Sequence, residues 1–269
     1  FLLRWLVTEW CNYNCPYCPQ THDRLAPKAK GFTAHAFDNY PLEKWLGAFH
    51  RHFAERGLSL LITGGEPMLD RKNMLPFLKE ISAMPTVECI RIDTNASWGE
   101  KMVEGLDLSK IILMCTYHPS QTTEENFLRR IDEKLELGLK IGMVNFVLDD
   151  DNFEKFDRAK DIMAERDIRL HPNPLWDSKG QYSVEGKELF KRELPELDRN
   201  YRTGALSPRD KKCLFPSLAY EMDQMGRVTV GCHSQISGDF FDKELPGSFA
   251  GPVPCPKKSC SCLDKYSFL

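Results

Sequence analysis

From residue 4 to residue 172, short apolar runs alternate six times with longer amphipathic ones, and this alternation limits the chain to an α/β fold built on a parallel sheet. Parallel neighbours need a crossover of a dozen residues or more, which a helix supplies. The runs predict strands at 4–8, 58–63, 87–93, 110–116, 140–148 and 168–172. Between them they predict helices at 41–56, 71–84, 98–105, 122–137 and 152–166. Pro41 stands in the first turn of the first helix, which ends before Gly57, and Gly138 ends the helix at 122–137. The arrangement that follows is a parallel, six-stranded open barrel.

Composition supports a packed protein. The 269 residues are 42% hydrophobic, 11% aromatic and 28% charged, enough apolar surface for a sizeable core. The 36 Lys and Arg against 39 Asp and Glu give a net charge of −3, which disfavours a nucleic-acid partner. The apolar runs 58–62 and 111–115 fall far short of the roughly 18–20 residues that a membrane span requires, so no membrane partner is expected. The chain opens at Phe1, and residues 1–10 lack the apolar core and cleavage site of a signal peptide. A cytoplasmic location is the expectation.

The ten cysteines fall into a group at 11, 15 and 18, a group at 213, 232, 255, 260 and 262, and two isolated residues, Cys89 and Cys115. A chain large enough to make its own core and without an export signal favours metal ligation over disulfides. The first group leaves one coordination position open. Structural zinc closes a tetrahedron of four ligands, whereas three thiolates on a four-iron cluster leave one iron free for a small molecule. The loop that carries them follows the first strand at its C-terminal end, where α/β barrels place their sites.

The segment Cys11-Asn12-Tyr13-Asn14-Cys15-Pro16-Tyr17-Cys18 resembles the cluster loop of the radical S-adenosylmethionine (radical SAM) superfamily, with Tyr17 in the aromatic position before the third cysteine. Leu60-Leu61-Ile62-Thr63-Gly64-Gly65-Glu66-Pro67 resembles the family's second strand and its Gly-Gly-Glu-Pro turn. The resemblance implies a partial (β/α)6 TIM-like barrel with SAM across the strand ends. It implies a [4Fe-4S] cluster on Cys11, Cys15 and Cys18 that chelates SAM, and an electron donor such as flavodoxin or ferredoxin. It also implies a cofactor role for Tyr17, Gly64, Gly65, Glu66 and Pro67, with Glu66 accepting bonds from the SAM ammonium. Physically, paired glycines let a ligand approach the backbone, although they equally serve a tight turn into a helix. Thr94 and Asn95 resemble the family's Thr-Asn turn near the SAM carboxylate or ribose, and a helix cap accounts for them equally well.

Beyond residue 175 the period is lost, apart from a helix at 183–194, and a boundary near 205 divides the chain into 1–204 and 205–269. A hairpin is predicted from 218–223 and 227–230, turning at Gly226, followed by an irregular Pro-rich tail that needs a staple. Here the resemblance is to radical SAM enzymes with a twitch or SPASM extension. It implies a small cysteine-rich twitch-like subdomain with one auxiliary [4Fe-4S] cluster held by four of Cys213, Cys232, Cys255, Cys260 and Cys262; a structural zinc is the alternative.

His118 and His171 close the fourth and sixth strands, each as a general base or as a structural hydrogen bonder. Cys89 and Cys115 read as small core residues, with a thiol hydrogen donor at Cys115 a lesser option, and 209–212 reads as a solvated basic linker. The function implied is that of a radical SAM oxidoreductase. It would cleave SAM to a 5′-deoxyadenosyl radical, abstract a substrate hydrogen atom and complete a two-electron oxidation with the auxiliary cluster. The substrate would be a small polar molecule, such as an alcohol taken to a ketone. The alternatives are a maturase that crosslinks or epimerises a peptide or protein, and a non-enzymatic iron–sulfur electron carrier, against which the Gly-Gly-Glu-Pro turn speaks.

Overall fold

The computed structural model describes residues 1–18, 35–149, 151–175, 182–196, 200, 206–231, 233–247 and 249–258. Strand β1 (Leu2–Thr8) alternates, burying Leu3, Trp5 and Val7 on the face that the helices cover. After the short helix α1 (Ala36–Asn39), helix α2 (Leu42–Phe53) follows from the spacing of Trp45, Ala48, Phe49 and Phe53, all fully buried on one stripe. Strand β2 (Leu58–Gly64) leads to helix α3 (Arg71–Ala83), capped by Asp70, whose carboxylate accepts from the Asn73 amide at 3.3 Å. Strands β3 (Val87–Thr94) and β4 (Ile111–Tyr117) precede helix α4 (Glu124–Glu136), which Thr123 caps. Strand β5 (Lys140–Leu148), helix α5 (Phe153–Ala164), strand β6 (Leu170–Pro174) and helix α6 (Val184–Glu193) complete the alternation.

The six strands pair in chain order, all parallel, as the alternation requires. Two departures from the sequence reading have physical causes. Residues 98–105 form no α-helix but a 3-10 turn at Glu100–Met102, with another at Leu108–Lys110 that delays the fourth strand to Ile111. A stretch bracketed by Gly99 and Gly105 is too short to repay helix nucleation. The C-terminal hairpin, β8 (Ala219–Met222) and β9 (Arg227–Val230), gains a third strand, β10 (His233–Asp239), and joins the main sheet through parallel pairing of β8 with β1. Before it lie β7 (Lys212–Cys213) and the short helix α7 (Phe215–Leu218); β11 (Val253–Pro254) pairs antiparallel with β7.

Segments on either side of residue 205 thus share one sheet, ordered β10-β9-β8-β1-β2-β3-β4-β5-β6, and one core. Trp5 is its aromatic centre, with ring centroids 4.8 Å from Trp45 and 5.2 Å from Phe77. Phe240, fully buried, reaches the same cluster from beyond β10, its ring 4.9 Å from that of Phe49. Among the described residues no helix is long and apolar enough to cross a membrane. Phe240→Ala is expected to cost about 3–5 kcal/mol. It should also speed amide exchange in β8, β9 and α2 together; a change confined to the residues around 240 would mean that the C-terminal strands are not cooperative with the sheet.

Candidate functional site

Each strand from β1 to β4 ends at the same edge of the sheet, and the residues singled out in the sequence collect there. The loop leaving β1 runs against the turn leaving β2. Gly65 N–H donates to Thr8 O at 2.8 Å and Glu66 N–H donates to Trp10 O at 2.6 Å. A Cβ on Gly64, where φ is +151°, would lie 2.1 Å from Thr8 O, and one on Gly65 would lie 1.9 Å from Trp10 O. The glycines are therefore required by backbone meeting backbone, a closer constraint than the ligand approach read from the sequence. Trp10 itself is 55% exposed beside Cys11.

Glu66 is buried beneath this turn. Its Oε1 accepts from Met68 N–H at 3.2 Å and Thr94 O–H at 2.8 Å, and its Oε2 accepts from Asn95 N–H at 2.6 Å. Three of about four acceptor positions on the carboxylate are thus filled by protein. Burial pushes its pKa up to about 7, and these donors, with the Lys134 ammonium, act against that rise. Pro67 opens a 3-10 turn that Glu66 caps.

Thr94 and Asn95 are not helix caps, since no α-helix follows them. They make a side-chain-braced turn in which Ala96 N–H donates to Thr94 Oγ1 at 3.0 Å and Ser97 N–H donates to Asn95 Oδ1 at 3.0 Å. Ala96, fully buried, takes a left-handed φ of +58°, a conformation that costs a non-glycine residue about 1 kcal/mol. Trp98 Nε1–H also donates to Thr94 Oγ1, at 2.9 Å, and the Trp98 carbonyl accepts from the fully buried Lys134 ammonium at 2.6 Å.

The cysteine loop is held from two sides, by Asn95 and His118 and also by Asn12, Ser97, Gln121 and Arg130, which sequence reasoning did not single out. From the β3 end, Asn95 Nδ2 donates to Asn12 Oδ1 at 3.0 Å and to Cys11 Sγ at 3.8 Å, and Asn12 Nδ2 donates to Ser97 Oγ at 2.9 Å. From the β4 end, Asn14 N–H donates to Gln121 Oε1 at 3.0 Å, and Arg130 of α4 donates to the Tyr13 hydroxyl. His118 Nδ1 lies 3.5 Å from Cys15 Sγ and 3.1 Å from Tyr17 Oη, which also meets Ser120 Oγ at 3.2 Å. Burial lowers the His118 pKa to about 4. These partners lie 83 to 117 residues from the loop, a separation that carries no local signal.

The donor set fits a thiolate-bound cluster. Burial and the neighbouring Cys18 and Cys11 push the Cys15 thiol up to about 11, so the three sulfurs feel one another, and a coordinating metal removes such a proton outright. Among the described residues no three His, Cys, Asp or Glu side chains converge on one ion-sized point. A cluster carries its thiolates on separate irons, so its ligands need not do so.

Of the remaining candidates, His171 is buried in β6 opposite Asn145. Cys115 is fully buried in β4 and its thiol is pushed up to about 12, while Cys89 is half-buried in β3. Cys213 stands opposite Val253 in the β7–β11 pair, and Cys255 N–H donates to Lys211 O at 2.9 Å, so these two cysteines share one small sheet margin. Cys232, Cys260 and Cys262 lie outside the described residues.

Two outcomes test this geometry. Gly65→Ala is expected to displace the cysteine loop and to lower iron uptake on reconstitution several-fold while the secondary structure persists; unchanged iron would show that the backbone contact is dispensable. Glu66, raised from an ordinary 4.5 to about 7 in the folded state, holds its proton more tightly folded than unfolded. Its contribution to stability therefore declines as pH rises between those values, by about 3 kcal/mol in all, and is constant above them. Urea unfolding of the iron-free protein at pH 5 and 7.5 should show that decline in wild type and not in Glu66→Gln; equal slopes would refute it.

No family model matches the sequence. The chain is 28% identical over 182 residues to the GTP 3',8-cyclase of Mannheimia succiniciproducens, a match covering 63% of this chain and 52% of that protein. It is 26% identical over 256 residues to the GTP 3',8-cyclase of Cronobacter sakazakii, covering 89% of this chain and 70% of that one. The chain thus spans about half the length of the Mannheimia relative. Among solved structures, native anSMEcpe with bound AdoMet superposes with a TM-score of 0.59 at 15% identity, over 90% of this chain and 78% of that one. The same protein with AdoMet and Cp18Cys peptide gives 0.57 at 13% identity, over 90% and 77%. At these identities the structural likeness establishes the fold, an α/β architecture on a mostly parallel central sheet similar to that of radical SAM enzymes. The chain is thus similar in sequence to the GTP 3',8-cyclases and in fold to anSMEcpe.

Proposed function

We propose that the chain is a radical SAM oxidoreductase, with strands β1–β6 as a partial (β/α)6 barrel and residues 205–269 as a twitch-like subdomain. The observation that carries this reading is the three-thiol loop of β1 seated backbone to backbone on the Gly64-Gly65-Glu66 turn of β2. Cys11, Cys15 and Cys18 would hold a [4Fe-4S] cluster, and Tyr17, Gly64, Gly65, Glu66, Pro67, Thr94 and Asn95 would receive SAM. When bound, that pair supplies a one-electron cleavage of SAM, drawing on a flavodoxin or ferredoxin, and a 5′-deoxyadenosyl radical for hydrogen abstraction.

The chain's own part is to hold and to shield. Glu66 keeps one acceptor position on Oε2 beyond its Asn95 bond, directed by a turn that Thr94 and Met68 fix, and this position suits an ammonium donor. Clamping by Asn12, Ser97, Gln121 and Arg130 keeps the loop in one conformation, so that little ordering is left to the binding step. His171, buried in β6, is the candidate for moving a substrate proton. In the C-terminal segment, Cys213 and Cys255 already share one sheet margin, which supports an auxiliary cluster completed from Cys232, Cys260 and Cys262 that would take up the second electron. The substrate class favoured is a small polar molecule or a peptide.

Likeness to the GTP 3',8-cyclases supports a second reading, in which the substrate is a nucleotide and the net reaction is redox-neutral. Anaerobic reconstitution with iron, sulfide and zinc assays, followed by reduction with SAM, separates the two. The oxidoreductase reading expects about eight irons and release of 5′-deoxyadenosine. It expects loss of cleavage in Cys15→Ala, and loss of about four irons with cleavage retained in Cys213→Ala and Cys255→Ala. About four irons with one zinc, or GTP consumed with SAM, would favour the second reading. No cleavage at all would remove both.

A further inference from the structure

We infer that His118 is a positioning residue for Cys15, donating a hydrogen bond from Nδ1 to the Cys15 sulfur and so raising the reduction potential of the cluster that Cys11, Cys15 and Cys18 would bind. The inference rests on the radical SAM reading and assigns to His118 a task distinct from that of a substrate base.

The geometry comes from the ends of two strands. His118 follows the last residue of β4, and its carbonyl accepts from Gln121 N–H at 2.9 Å and Thr122 N–H at 3.2 Å, which fixes its backbone. Its ring lies parallel to that of Tyr17, 14° between planes, and meets the Tyr13 ring edge-on at 5.8 Å. Both tyrosines belong to the cysteine loop, so the ring is held by the segment whose sulfur it faces. Nδ1 is thereby committed to Cys15 Sγ at 3.5 Å and Tyr17 Oη at 3.1 Å.

The direction of the hydrogen bond follows from the inventory of donors. Once a metal is bound, Cys15 is a thiolate and only accepts. A lone pair on Nδ1 would then face the lone pairs of the sulfur even with the Tyr17 O–H donated to it, whereas an Nδ1–H is shared, in this part-buried setting, by the sulfur and Tyr17 Oη, both of which accept. Tyr17 can pass its own hydrogen to Ser120 Oγ at 3.2 Å, which completes the chain without an unpaired group. The ring needs only to be the Nδ1–H tautomer and carries no charge. Cys11 has a matching arrangement, with Tyr13 N–H at 3.3 Å and Asn95 Nδ2 at 3.8 Å from its sulfur. Two of the three ligands thus receive donors, one from the β3 end and one from the β4 end. Hydrogen bonds to cluster sulfurs favour the reduced, more negative state, and so their loss lowers the potential.

The test is a potentiometric titration of the reconstituted enzyme, followed by electron paramagnetic resonance, on the cluster whose signal SAM perturbs. His118→Phe keeps the ring packing and removes the donor; its midpoint potential is expected to shift to more negative values. His118→Asn restores an N–H donor near the position of Nδ1 and is expected to recover the potential at least in part, which a merely structural role would not predict. Unchanged potential in His118→Phe with full iron, or an equal shift in both variants, overturns the inference while leaving the radical SAM reading intact. Wild-type protein that yields no SAM-perturbed signal overturns that reading and the inference with it.

Discussion

The main chain leaving β1 and the main chain leaving β2 touch at a distance that excludes any side chain on Gly64 or Gly65, and the chemistry of this protein is arranged around that contact. Glycine is costly in a fixed position because the unfolded chain has so many more states to lose. The cost is offset here by two backbone hydrogen bonds, Gly65 N–H to Thr8 O and Glu66 N–H to Trp10 O, which weld the cysteine loop to the second strand. Parallel pairing of Leu6 with Thr63 brings the two strands to the same level, and a register shift between Leu6 and Thr8 lets the first strand bend away toward its cysteines. A loop that would otherwise be free to sample many conformations is thus anchored within two residues of its first sulfur.

A second constraint is the charge buried beneath that contact. Glu66 lies in a water-poor interior, and the groups that receive it are arranged as a chain: Thr94 and Asn95 on the carboxylate, Trp98 on Thr94, and Lys134 on the Trp98 carbonyl. The Lys134 ammonium also stands 4.4 Å over the Trp98 ring. Its charge opposes the rise in the Glu66 pKa without touching the carboxylate. Buried opposite charges joined through satisfied hydrogen bonds contribute little net stability against an apolar equivalent, and Lys134 has a nearer carboxylate, that of Glu133, at 3.9 Å. The network therefore acts chiefly to fix one arrangement of the β2, β3 and α4 ends, which are the elements around the cysteine loop.

How much of this was legible in the sequence depends on the range of each interaction. The strands announced themselves because each buries a short run or alternation of apolar side chains between longer amphipathic segments, and α2 because Trp45, Ala48, Phe49 and Phe53 recur at helical spacing. The cysteine triplet and the Gly-Gly-Glu-Pro turn were legible because their spacing is local. Asn12, Ser97, Gln121, Arg130 and Lys134 were not, since each works through a partner far along the chain, as in the 85-residue gap between Asn12 and Ser97. The glycines answer to a second constraint besides the ligand expected against them: the backbone of β1 lies there. Residues 98–105 were misjudged because Trp98, Met102 and Val103 show a helical spacing that serves instead to bury three side chains beside two glycines.

Pairing of β8 with β1 has a mechanical consequence for the C-terminal segment. Leu2 to Trp5 pair with Ala219 to Met222, so the strand that delivers the first cysteine group is hydrogen-bonded on one side to β2 and on the other to the segment that follows Cys213. Only five residues separate Cys213 from Ala219, and α7 occupies four of them, which leaves little slack between the β7–β11 margin and the sheet. Phe240 then closes the C-terminal strands onto α2 through the rings of Phe49 and Trp45. Among the described cysteines of that segment, Cys213 is thus tied to the first group through backbone hydrogen bonds and a shared aromatic core.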